Sequence, residues 1–141
     1  MRAWIVAVAA TAVLAGLAGC GSDRPADQQD VCSAAVNDAL NGLGGSVSVD
    51  VRTANTFRTG IQHDQAMVDA QTAATAWHAK LLEQANRDVS PELRQVLQDG
   101  AKMVAAIMAS LEDVLSVPPA AEYEIKSHAG KIQDACADAW S

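Results

Sequence analysis

The chain has 141 residues, 50% of them apolar and 19% charged, with a formal net charge of −7. That length is one domain's worth of sequence. The acidic balance argues against a nucleic-acid partner and against a surface drawn to anionic headgroups, since both would repel it.

The first element is a leader. Arg2 gives a positive start, residues 3–18 carry no charge, and small residues follow, which is the layout of a secretory signal. The stretch closes on Leu17-Ala18-Gly19-Cys20, which resembles the lipobox of bacterial lipoproteins. The resemblance implies that the Cys20 thiol takes a diacylglyceryl group and that the chain is cut just before it, so residues 1–19 are a signal peptide. It also implies a place at the cell membrane, lipid-anchored on the extracytoplasmic face. A thiol suits the role because it is the strongest nucleophile among the side chains. The rival is an uncleaved transmembrane helix. Only Trp4, Ile5, Val6, Val8, Val13, Leu14 and Leu17 are strongly apolar, however, and the rest is mostly Ala and Gly, which is thin for a span. A further alternative is an ordinary cysteine after a plain secretion signal.

Removing 19 residues from 141 leaves 122, and losing Arg2 takes the charge from −7 to −8. Attachment then rests on the two acyl chains at Cys20, enough for stable anchoring. With Cys20 given to lipid, Cys32 and Cys136 remain as an even pair, expected to form a disulfide outside the cytoplasm. Residues 20–29 comprise the lipidated cysteine and a polar run without periodicity, read as a flexible tether. Its nine residues after Cys20 reach at most about 30 Å.

Residues 30–141 read as an all-α domain, a small four-helix bundle stapled by one disulfide. Asp27 or Asp30 caps a first helix running to about Asn41, and Gly42, Gly44 and Gly45 are expected to stop it. Met67, Ala70, Ala74, Trp77 and Leu81 form one stripe of a second helix, from about Thr59–Gln62 to Arg87. Ser90-Pro91 opens a third, with serine as N-cap. There Leu93, Leu97, Gly100, Val104, Ile107, Leu111 and Val114 recur, and Val117-Pro118-Pro119 ends it. The fourth runs from about Ala120 to Ala139, with Ile125, Ala129, Ile132, Cys136 and Trp140 on one face.

Residues 44–60 fit least well. Ser46 to Val51 alternates like a strand but has no partner strand. The segment reads either as an extension of a neighbouring helix or as an exposed partner-binding loop carrying Arg52, Phe57 and Arg58.

Chemistry finds little footing. His63 and Met67, and Glu124 and His128, are each four apart on a helix, but two ligands do not make a metal site. No serine sits in a nucleophile elbow, and Gly42-Leu43-Gly44-Gly45 has neither phosphate-binding spacing. Asp134 and Asp138 read as solvated surface, and Glu83–Arg87 and Glu122–Lys126 as ordinary i,i+4 pairs. Neither catalysis nor a cofactor or metal is expected. Alanine-rich faces, Ala73, Ala74 and Ala76 against Gly100, Ala101, Ala105 and Ala106, either pack closely or leave a slot for a ligand.

The many alanines, few lysines and terminal cysteine pair look like small helical lipoproteins of actinobacteria, a resemblance that carries no functional residue over. The leading expectation is a lipid-anchored binding module for an envelope protein or lipid. Its rival is a carrier or sensor of a small apolar ligand held within the bundle.

Overall fold

The computed structural model describes residues 24–112 and 120–141. Cys20, the lipobox and Val114 lie outside them. Helix α1 runs without a break from Gln28 to Phe57, in three segments: Gln28–Ala34, a wider π-helical Ala35–Gly44, and Gly45–Phe57. Helix α2 spans Ile61–Ala85, α3 Pro91–Glu112 and α4 Ala120–Ala135, followed by a 3₁₀ turn, Ala137–Trp140. Every described element is helical, and the four helices alternate in direction as an up-down bundle.

The glycines expected to end the first helix do not end it. Gly44 and Gly45 keep right-handed helical angles, although each glycine in a helix costs about 1 kcal/mol relative to alanine. Packing decides the outcome. A Cβ at Gly44 would stand 3.0 Å from Trp77 Cζ2 and 3.2 Å from the Ala39 carbonyl. The missing side chain therefore lets the α2 indole press against the backbone of α1. Beyond it, Val47, Val51 and Ala54 continue the buried face while Val49 points to water. The strand-like alternation of residues 46–51 is thus one helical stripe seen partially. The hydroxyls there turn inward on the backbone: Ser46 donates to the Gly42 carbonyl at 3.0 Å and Thr53 to Val49 at 2.9 Å, a bond compatible with helix.

The heptad stripes of α2 and α3 stand as read. Ala70, Ala74, Trp77 and Leu81 of α2 are buried, with Met67 packed at the edge of the core, and so are Leu93, Leu97, Gly100, Val104, Ile107 and Leu111 of α3. Ser90 caps α3 as expected, its hydroxyl accepting from Leu93 N at 3.2 Å. The alanine faces are only partly interior: Ala74 and Ala101 are buried, while Ala76, Ala105 and Ala106 face solvent. In α4 the expected face holds at Ile125, Ile132 and Cys136 and fails at Ala129 and Trp140. Ala121, Ile125, His128, Ile132, Cys136 and Ala139 are inside, Ala129 lies at the margin, and Trp140 points outward.

Cys32 and Cys136 are joined, their Cα atoms 5.7 Å apart across a separation of 104 residues. In the chain-entropy model a loop of that size stabilises the fold by about 4–5 kcal/mol. The bridge closes one end of the bundle, called the base below. There Asp27 does not cap its own helix with its side chain. Its carboxylate instead accepts from Arg87 Nη2 and from Asp88 N, both at 2.9 Å. These donors, the Asp88 amide first and then Arg87, hold its pKa below the usual carboxylate value. Gln28 Oε1 accepts from Ser90 N at 2.8 Å. The start of α1 is thereby bolted to the α2–α3 link, and α1 begins two residues inside the stretch read as tether. The expected pairings Glu83–Arg87 and Glu122–Lys126 give way to Lys80–Glu83 on one helix, and to Arg87–Asp27 and Arg52–Glu122 between elements.

Candidate functional site

At the opposite end, the tip, α1 turns into α2 through Arg58, Thr59 and Gly60. Gly60 has φ 94° and Arg58 has φ 55°. Positive φ is ordinary for glycine and costs a side-chain-bearing residue on the order of 1 kcal/mol. The turn is closed by backbone bonds, Arg58 N to the Ala54 carbonyl and Asp64 N to the Gly60 carbonyl, both 3.0 Å. It places Phe57 and Ile61 on either side of the bend, 46% and 88% exposed.

Of the three residues singled out in the sequence, Phe57 and Arg58 sit at this tip. Arg52 lies further back on α1, where its Nε donates to Glu122 Oε1 at 3.0 Å. It ties α1 to α4 with a mostly exposed guanidinium, and it stands on a helix rather than in a loop. Ile61 escaped the sequence reading. An isoleucine directly after a glycine that ends one helix and starts the next was the available signal. Phe57 and Ile61 border an open groove of about 350 Å³ that also reaches Asp50 and Asp69. Burial, and secondly the Asp69 charge, raise the Asp50 carboxyl above its ordinary pKa.

Midway along the bundle, each helix contributes one residue to a single layer: Gly44, Trp77, Gly100 and His128. The Trp77 and His128 rings lie 6.4 Å apart between centroids, tilted by 55°. His128 is buried and fills the notch left by Gly100, where a Cβ would overlap its Nε2 and Cε1 atoms. Trp77 Nε1 and His128 Nε2 have no hydrogen-bond partner among the described residues. Loss of water around the ring, and secondly the nearby Lys131 charge, lower the His128 pKa to about 4, so the imidazole is neutral at pH 7. An open groove of about 290 Å³ runs over it, bordered by Asp99, Met103, Tyr123, Ser127 and Lys131.

The other candidate chemistry is dispersed. His63 Nδ1 pairs with its neighbour Asp64 Oδ1 at 3.1 Å, Met67 packs on the core, and Glu124 faces solvent while His128 faces inward. Among the described residues no three His, Cys, Asp or Glu side chains gather as metal ligands. Cys32 and Cys136, spent in the disulfide, offer no thiol. No described helix is long and apolar enough to cross a membrane.

Compared with known proteins, the chain matches no family model, no curated sequence and no solved structure.

Proposed function

We propose that the chain is a lipid-anchored, extracytoplasmic helical module whose tip engages an envelope protein, with Cys20 as the lipid-bearing residue. The observation that carries this reading is the exposure of Phe57 and Ile61 across a strained turn. Large apolar side chains facing water at adjoining positions lose free energy that a partner surface would recover. The arrangement of the ends supports it. A chain tethered before Gln28 is held at the base, and α1 carries the tip about 40 Å away from that point. Arg58, without a carboxylate partner among the described residues, adds a cation beside the apolar pair.

The rival, a carrier of a small apolar ligand, has less in its favour. Trp77, Leu81, Leu93, Leu97 and Ile132 fill the interior completely buried, and the grooves at the tip and beside His128 open to solvent.

A photoreactive amino acid at Phe57 tests the proposal when compared with one at Gln29, an exposed residue of the base. In intact envelopes the tip probe should crosslink a discrete protein that the base probe misses, and Ile61→Ser with Arg58→Ala should abolish the adduct. Equal labelling from both positions would count against a tip interface. Cys20→Ser tests the anchor separately, through loss of acyl mass and of membrane retention.

A further inference from the structure

We infer that the base of the bundle rests on the membrane surface through Trp140, its indole lodged among the headgroups of the bilayer that holds the lipid. This inference depends on the reading of Cys20 as the lipidated residue.

Four observations converge on it. Trp140 is 53% exposed, whereas Trp77 is completely buried. Its outward position is fixed by the fold: the 3₁₀ turn begins beside Cys136, covalently held to α1, and is closed by Ala139 N donating to the Cys136 carbonyl at 2.9 Å. The chain entering the bundle is pinned to the same turn, because the Arg24 guanidinium donates to the Asp138 carbonyl. Ala26 N donates to Asp88 Oδ2 and Asp27 N to the Asp88 carbonyl, both at 3.0 Å. The segment read as a long flexible tether is therefore docked along its second half.

Docking shortens the leash. From Cys20 to Arg24 there are four peptide steps, at most about 14 Å fully extended. The headgroup zone of one leaflet is itself about 5–8 Å deep. A lipid inserted at Cys20 thus holds Arg24 beside the headgroups, and Trp140 lies two residues from the carbonyl that binds Arg24. Tryptophan is the side chain best suited to that depth, with an apolar ring and one N–H donor. The charge around it is mixed: Arg24 and Arg87 stand among Asp27, Asp30, Asp88 and Asp138. The acidic excess there favours an uncharged or zwitterionic surface over an anionic one.

Mature, lipidated protein in phosphatidylcholine vesicles tests this, with and without bromine placed high on the acyl chains. The two tryptophans of the processed chain divide the signal, Trp77 serving as the internal control. Brominated vesicles should quench the emission of the wild type, and Trp140→Phe should lose that quenching while keeping the wild-type melting curve. Protein that floats with the vesicles yet emits equally in both overturns the inference and leaves the anchor standing. Shielding of Trp140 from acrylamide in native envelopes, without quenching by bromine, also overturns it, by assigning the ring to a protein neighbour. Absence of acyl mass on the Cys20 peptide, with no flotation, removes the anchor and this inference together.

Discussion

The two ends of the bundle are built from different materials. At the base a disulfide, the Asp27–Arg87 pair and the Gln28–Ser90 bonds join α1 to α4 and to the α2–α3 link. At the tip, among the described residues, a three-residue bend is closed by backbone bonds alone, and Phe57 and Ile61 stand in water. The base spends its polar groups on the fold, whereas the tip leaves its groups unspent. The proposed roles, holding position at one end and receiving a partner at the other, call for such a difference.

Removing the bridge should break the contrast most severely. Cys32→Ser with Cys136→Ser is expected to cost about 4–5 kcal/mol, read as a drop in the urea midpoint. Phe57→Ser at the exposed tip should cost less than about 0.5 kcal/mol.

The middle layer comes next. Gly100→Ala drives a methyl into the His128 ring and should cost about 1–3 kcal/mol by overpacking. Gly130→Ala, with nothing within 4 Å of the added carbon, should instead gain up to about 1 kcal/mol from helix propensity.

Acid should probe the same layer. The His128 pKa falls from 6.5 in the unfolded chain to about 4 in the fold, so between those values the unfolded chain binds more protons. Stability is therefore full above pH 6.5 and declines as pH falls toward 4, by on the order of 3 kcal/mol. Thermal melts across that window should show the slope, and His128→Phe should flatten it. Further loss below that window belongs to Asp27 and Asp99, whose lowered values make their contributions disappear only at lower pH. Asp27 at the base thus responds to acid later than His128 does, and so does Asp99 beside the His128 groove.

The smallest effect sharpens the tip. Arg58→Gly relieves the positive φ and should raise stability by about 0.5–1 kcal/mol while weakening the Phe57 crosslink. A variant that is both more stable and less competent would mark Arg58 as retained for contact rather than for folding.

Much of this was legible in the residues, and the failures share one cause. The stripes of α2 and α3 are long and regular, so periodicity placed them, and counting cysteines paired Cys32 with Cys136. The path of α1 was not legible. Glycines at 42, 44 and 45 signal a stop locally, and only Trp77, reached from another helix, shows why Gly44 has no side chain. On α4 the spacing places Ile125, Ile132 and Cys136 inside but not His128, whose burial depends on the room that Gly100 leaves on another helix. Helical spacing continued to position 140 places Trp140 on the buried face. Its position beyond α4, on a turn of different pitch, carries it out of the stripe. The tip residues Phe57 and Arg58 were visible as chemistry, but their exposure depends on the bend.

The unbroken run of α1 from Gln28 to Phe57 also has a mechanical meaning. Under the proposed anchoring, a pull between the N-terminal side of Gln28 and anything gripped at Phe57 would travel lengthwise along one helix, in line with its own hydrogen bonds. The other three helices would lie alongside that load as a splint, outside the line of tension, and the core they share would stay closed while the strut bears the strain.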